Sequence, residues 1–437
     1  MKVVIIGAGF AGLKLARKLS NKQDFEVILI DKVNYHQFQP LLYQVATAGL
    51  DASNISFPLR KVFHKSKNVR IRLAEVKEIV PAQHKIITST EQLDYDILVL
   101  ATGTETNFFG NQQLIDNAFP MKSTVEALQL RHKLIRNFED ALLAKDPSEL
   151  QRLMNIVIVG GGPTGVELSG ALAEMKHYVL PKDYPELDFS KMNIYLLEGG
   201  PKTLGNMSEK SAADSLKYLT RLGVKVLTNT IVSNFDGNNV QLKDGSSIPS
   251  KTVIWAAGVI GSMPPGFDKS VIVRGNRLIV DTQGKLRGFN NIYVIGDLAY
   301  METPKYPKGH PQLASVAIQQ AKLVAKNLLR QQQNDNRFED FDYHDKGTLA
   351  TVGRNLAVAD IPIPKAFGKK LHFGGFIAWM IWMSLHLALI LGVKNRFFVF
   401  SNWVYNYFTY DQSLRLIFPE FYKTKKSERQ ELVLDKK

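Results

Sequence analysis

A chain of 437 residues, 45% hydrophobic and 22% charged, is long enough for two α/β domains and a further element, and its composition is that of a folded protein. It has no cysteine, which excludes disulfide scaffolds and any activity that runs through a redox or nucleophilic thiol, and fits a reducing compartment. The net charge of +14 would suit nucleic acid or an anionic membrane, but the basic residues are dispersed and flank apolar segments, which favours the membrane and argues against nucleic acid.

The chain opens on an apolar β-branched run, Val3 to Ile6, followed at once by the glycine loop Gly7-Ala8-Gly9-Phe10-Ala11-Gly12 and a helical pattern. A strand, a GxGxxG turn and a helix in that order form a dinucleotide site: glycines let the backbone approach a pyrophosphate, whose charge sits at the positive end of the helix. The next apolar run, Val27 to Ile30, ends on Asp31, at the spacing of the carboxylate that holds a ribose 2′-hydroxyl, so an FAD site is predicted here. A removable N-terminal signal is not expected, because cleavage would destroy this loop. Further on, Leu93 to Leu100 reads as a strand running into the small-residue turn Ala101-Thr102-Gly103.

The pattern then repeats. Ile156 to Val159 leads into Gly160-Gly161-Gly162-Pro163-Thr164-Gly165, and Met192 to Leu197 ends on Glu198, with a longer helix and a loop over Val179 to Phe189 between them. A glutamate at that strand end accepts from a free 2′-hydroxyl and repels a 2′-phosphate, so the second cofactor is expected to be NADH. Ile248 to Ala256 again runs into a small turn, Ala257-Gly258, which makes the chain a duplicated unit. Asn291 to Ile295 is a later strand ending in Gly296-Asp297, with Asp297 placed for the ribityl or pyrophosphate part of the flavin. A helix over roughly Pro311 to Arg330 follows, its positive end aimed at the flavin, where it would stabilise negative charge on the reduced ring. The histidines are scattered and no metal site is expected.

From about Ile361 the composition changes. Lys365, Lys369 and Lys370 precede Phe373 to Val393, a stretch without Asp, Glu, Lys or Arg; Lys394 and Arg396 follow, then aromatic Phe397 to Tyr410 and the basic tail Lys423, Lys425 and Lys426. Trp379, Trp382 and Trp403 fall here, as expected of residues that prefer a membrane interface. The stretch has about the length of a bilayer span, yet its glycines and His386 leave three readings open: an in-plane helix, a span, or a buried core or dimer helix. The expected fold class is α/β with two Rossmann-like domains: a discontinuous FAD domain at 1–118 and 262–361, an inserted NADH domain at 119–261, and a C-terminal helical membrane-association region at 362–437.

With these motifs, and with Tyr35 to Thr47 (YHQFQPLLYQVAT) and Lys346 to Arg354 (KGTLATVGR), the chain resembles the type II NADH dehydrogenases, single-subunit NADH:quinone oxidoreductases of the two-dinucleotide-binding flavoprotein superfamily. The resemblance implies FAD contacts at Gly7, Gly9, Phe10, Ala11, Gly12, Asp31, Lys32, Gln44, Ala101, Thr102, Gly103, Gly296, Asp297, Ala314, Ser315 and Val316. It implies NADH contacts at Gly160, Gly162, Pro163, Thr164, Gly165, Glu167, Glu198, Ala257 and Gly258, with Glu167 also in the reaction centre. The family's quinone motif, Ala-Gln-x-Ala-x-Gln, is read here at Ala314 to Gln319 with Ser315 in place of the first glutamine, so Gln319, Ile318, Ser315 and Gln44 are the expected quinone contacts and Gln319 the second catalytic residue. The resemblance further implies in-plane attachment to the cytoplasmic face of the inner membrane, anionic lipid and a second copy of the chain as partners, and electron transfer without proton pumping. Two other functions remain open from the residues: a flavin reductase with a soluble acceptor, and a membrane-tethered NADH sensor.

Overall fold

Two five-stranded parallel sheets organise the chain in the computed structural model, which describes residues 1–363 and 370–417. In the first, Ile292–Val294, Ile97–Leu100, Lys2–Ile6, Glu26–Asp31 and Val69–Leu73 lie side by side in that order; in the second, the order is Phe119–Pro120, Thr252–Trp255, Asn155–Val159, Asn193–Leu197 and Lys225–Leu227. Both centre on a strand that is an unbroken apolar run after its first residue, because one face packs on helices and the other on a small antiparallel sheet, leaving no solvent side to alternate against: Val3, Val4 and Ile5 are fully buried, as are Val157 and Ile158. Each central strand delivers its glycine loop at its C-terminal end, where open α/β sheets bind ligands. The edge strand Ile292–Val294 returns from far along the chain to pair with Ile97–Leu100, and so brings Gly296-Asp297 to the same end of the sheet as Gly7. The two connections between the units run side by side, Thr104–Thr106 antiparallel to Val259–Gly261.

The flavin-side helix predicted from Pro311 starts at Ala314 and runs to Gln332, with Leu313 still extended before it. It packs on the first helix, Phe10–Leu19. The expected loop after the second glycine helix contains one short turn of helix, Leu180–Asp183.

The C-terminal unit differs from the expectation in two ways. Its first element is a three-stranded antiparallel sheet, with Thr348 paired to Asp360 and Asp360 to His372, so Thr348–Pro362 goes with Lys370–Gly374 and the unit begins about residue 348 instead of 362. This sheet lies against the helix Pro163–Tyr178 so closely that a Cβ on Gly170 would stand 1.5 Å from the Val352 carbonyl oxygen. Moreover, the apolar stretch Phe373 to Val393 is not one helix. It is divided into the end of a strand, a 15-residue helix Gly375–Leu389 and the start of a second helix, Val393–Thr409. Fifteen residues rise about 22 Å, short of the roughly 30 Å hydrocarbon core, and no helix among the described residues is long and apolar enough to cross a membrane.

Both helices are two-faced. Ala378, Trp382, Ile390 and Val399 are buried against the sheet and the nicotinamide-side core, while Phe376, Ile377, Met380, Phe397 and Phe408 are exposed. Of the basic residues expected to flank this region, Lys370 pairs with Asp345, Lys394 lies over the Phe398 ring, and Arg396 donates to the Ile390 and Ala388 carbonyls at the end of the first helix. Lys365, Lys369, Lys423, Lys425 and Lys426 lie outside the described residues.

Candidate active site

Within each glycine loop the outer glycines and the middle one do different work. A Cβ on Gly7 would stand 2.4 Å from the Ala101 oxygen and one on Gly12 1.9 Å from the Gly7 oxygen; at Gly160 and Gly165 the same clashes arise, 2.6 Å from Ala256 and 1.9 Å from Gly160. These four close the strand–loop–helix turn. Gly9 and Gly162 have nothing within 4 Å of such a Cβ, so at the middle position the backbone faces open space where a pyrophosphate can approach. Gly12→Ala is therefore expected to abolish folding of the loop and flavin retention together, whereas Gly9→Ala leaves the thermal melt near native and lowers flavin occupancy by more than about tenfold; the absorbance ratio at 450 and 280 nm on purified protein reads both.

The two acids occupy matching places. Asp31 accepts from the Ala8 N–H at 2.6 Å and from the Val33 N–H at 3.0 Å, and Glu198 accepts from the Gly161 and Gly200 N–H groups, both at 2.6 Å. Each carboxylate is thus held at its strand end facing the glycine loop, with acceptor capacity left for a ribose hydroxyl. Burial raises the Asp31 carboxyl above its usual range, against the backbone donors that lower it.

A cavity of about 1660 Å³ runs between the units. It exceeds the roughly 300–1,000 Å³ of a small-ligand pocket, and its walls take in Gly7 to Ala11, Asp31, Lys32, Ala101 to Gly103, Gly296, Asp297, Ala314 and Ser315. Asp297 is raised by burial and offset by the Lys122 and Arg277 charges; Lys122 donates to the Thr104 hydroxyl at 2.8 Å, and that hydroxyl stands 3.5 Å from Asp297. The Thr102 hydroxyl on the same wall is buried with no hydrogen-bond partner. An uncommitted hydroxyl, a carboxylate that takes no backbone donor, an open glycine and a helix start at Ala314 together fit a dinucleotide with a polyol chain. Pro163, Thr164 and Glu167, from the second loop and its helix, line the same space.

Not every predicted contact lies there. Val316 is buried in the apolar core of the first unit. Ser315 and Ile318 do reach the cavity, with Ser315 Oγ 2.9 Å from the Tyr343 hydroxyl, but Gln319 at its edge is tied twice to the His344 backbone, at 2.9 and 3.0 Å. Gln44 sits apart from them. Its amide donates to the Tyr43 hydroxyl and accepts from the Trp403 indole, both at 2.8 Å, on a second cavity of about 130 Å³.

Glu167 joins the two spaces, lining both. It stands in the second turn of the helix Pro163–Tyr178, beneath the C-terminal helices, and accepts long hydrogen bonds from the Thr351 N–H (3.4 Å) and the Trp382 indole (3.3 Å). Burial outweighs both donors and lifts its carboxyl to about 8. A carboxyl in that range is protonated at neutral pH and poised to exchange a proton.

Several neighbours carried no signal of their own in the sequence. His36 is buried with Nδ1 2.8 Å from the Ala8 oxygen, so its Nδ1–H donates to the glycine loop and burial keeps the ring neutral. His386 stacks on Trp382 at 4.1 Å with its Nδ1 2.8 Å from the Trp382 carbonyl, and burial lowers it to about 4. The spacing Trp382, His386 is i, i+4 on an apolar helix, a face visible in the sequence once the helix is known.

Residues 1–321 match the family described as pyridine nucleotide-disulphide oxidoreductase, and residues 345–410 match the NDH2 C-terminal domain. The type II NADH:quinone oxidoreductase Ndh of Mycobacterium tuberculosis is 36% identical over 92% of this chain and 87% of its own length; the Staphylococcus aureus type II NADH:quinone oxidoreductase is 31% identical over 85% and 92%. In fold, the chain is similar to NDH2 from Plasmodium falciparum, solved in complex with NADH, with a TM-score of 0.85 at 21% identity over 96% of this chain and 99% of that one. It is also similar to the sulfide:quinone oxidoreductase of Aquifex aeolicus, at a TM-score of 0.69 and 19% identity over 90% and 92%. On a paired dinucleotide fold without a thiol, with its own C-terminal unit and relatives matched over nearly their full length, the chain belongs to the type II NADH:quinone oxidoreductase family.

Proposed function

We propose that the chain oxidises NADH through bound FAD and reduces a membrane quinone, without pumping protons. The observation that carries this reading is one cavity lined by both glycine-loop units, with a buried carboxyl, Glu167, where the nicotinamide-side helix meets the C-terminal helices. The flavin supplies the chemistry of accepting a hydride and releasing two electrons. The chain's residues position and screen. The first loop, Asp31 and Asp297 hold the FAD pyrophosphate, ribose and polyol; the second loop and Glu198 hold NADH and disfavour a 2′-phosphate. Ser315, Ile318 and Gln319 border the quinone's place on the flavin-side helix, and Glu167 holds a proton that quinone reduction consumes. The FAD unit comprises 1–118 and the return from 262 to the start of the C-terminal sheet, with the NADH unit at 119–261.

The C-terminal helices lie in the plane of the membrane with their exposed aromatic faces in the lipid, on the cytoplasmic side, and a second copy docks through the same region. The exposed Phe376, Ile377, Phe397 and Phe408 support this. Liposomes containing ubiquinone or menaquinone test the whole reading: the flavin-loaded chain is expected to oxidise NADH with quinone in the bilayer, and NADPH far more slowly. Flavin that NADH does not bleach on a turnover timescale, or turnover only with a soluble acceptor, would overturn it.

A further inference from the structure

The wall of the large cavity carries a group of cations that the proposed reaction does not use. Lys14 and Arg17 stand on the helix Phe10–Leu19, Lys322 on the helix Ala314–Gln332 packed against it, and Lys346 just before the C-terminal sheet; all four line the cavity. Lys322 is one turn beyond Ile318 and Gln319 and shares their face. Partial burial, and after it the charges of Lys322, Lys18, Arg17 and Lys346, every one a cation, lower the Lys14 ammonium from the usual range.

Acids of the same wall are committed elsewhere. Glu339 pairs with Lys326 and Arg330, Asp342 with Lys305, and Asp340 accepts from the Thr282 hydroxyl; Asp345, beside Lys346, pairs with Lys370. Cations gathered this way repel one another and draw an anion to the spot.

Next to the cluster is the turn between the two C-terminal helices. Leu391 packs on the core beneath the first helix, and Leu385, Ala388, Leu389, Leu391 and Arg396 line the same cavity. Just past the turn, Val393 and Phe397 are 82% and 65% exposed. A cationic rim beside an apolar ledge fits an amphiphile with a phosphate head and acyl tails, and the ledge is continuous with the helix faces assigned above to the lipid.

We propose that Lys14, Arg17, Lys322 and Lys346 form a headgroup site for an anionic phospholipid, its acyl chains along Leu389, Val393 and Phe397, at the mouth through which quinone enters. The bound lipid seats this mouth on the bilayer and so lowers the KM for quinone. This rests on the membrane-quinone reading, and the test separates the two.

The full-length, FAD-loaded chain and its K14Q/K322Q/K346Q variant are assayed with the same quinone in vesicles of phosphatidylcholine alone and of equimolar phosphatidylcholine and phosphatidylglycerol, with flotation run in parallel. The native chain is expected to show an apparent quinone KM lower by at least about fivefold on the mixed vesicles. The variant should float with both, keep native flavin content and flavin reduction by NADH, and lose that difference; K14R/K322R/K346R should retain it. A variant that keeps the full difference overturns the site, as does inorganic phosphate reproducing the gain on phosphatidylcholine vesicles, which assigns the cluster to a free anion. A native chain that neither floats nor turns over quinone overturns the membrane reading itself, and the site with it.

Discussion

Glu167→Gln is expected to slow NADH:quinone turnover by about 10²-fold while leaving flavin reduction by NADH within a few-fold of native, since the amide keeps the volume and cannot give up a proton. In the native chain quinone turnover falls as the pH rises through about 8, because the protonated carboxyl is the form that can donate; the glutamine variant lacks this limb. Stability follows the same group. The unfolded chain ionises it near the ordinary glutamate value of 4.5, whereas the folded chain keeps the proton to about 8, so between these values stability falls as the pH rises. The slope is about 1.4 kcal/mol per unit and the total on the order of 5 kcal/mol. Glu167→Gln should therefore melt above the native chain at pH 8 and close to it at pH 4.5. A native pH profile without a limb near 8, or equal melting at both values, would remove Glu167 from the proton step.

Trp382 should have the second largest effect, and two substitutions there act in opposite directions. Trp382→Ala opens a cavity beneath a side chain that is 2% exposed, which costs about 3–5 kcal/mol, and admits water to Glu167. With the burial relieved, the high-pH limb moves down toward the ordinary carboxylate range. Trp382→Phe keeps the cover but removes the indole N–H that favours the ionised form, so the limb moves up. Thermal melts and the pH dependence of kcat read both variants. Limbs that shift the same way in the two would show that Trp382 does not act as Glu167's cover.

Much of the site was legible because it is local. The glycine loops at Gly7 and Gly160, the acids Asp31 and Glu198 and the turns at Ala101 and Ala257 each answer to a steric or electrostatic demand made within one strand–turn–helix, and such demands leave residue types at set spacings. Asp297 was legible for the same reason, as the end of an apolar strand. What Gln44 and Gln319 do was not, because an amide on a helix shows nothing of which backbone or indole will bind it. The start of the C-terminal unit was hidden for another cause. The strands Thr348–Gly353 and Leu356–Pro362 find their third partner in Lys370–Gly374, whose end opens a stretch that reads as helix or span, and strand pairing is a long-range choice with no local mark.

The amino-acid sequence alone determined that two dinucleotides bind, that no thiol takes part and that an apolar, aromatic stretch flanked by basic residues follows about residue 361, since each of these follows from residue types and short spacings. Only the tertiary structure decided that Glu167 is dry, that the apolar stretch breaks into helices too short to span a membrane, and that four cations from three segments line one cavity. Burial and the summed field of neighbouring charges depend on what the fold brings within a few ångströms, and a one-dimensional order of residues does not contain those distances.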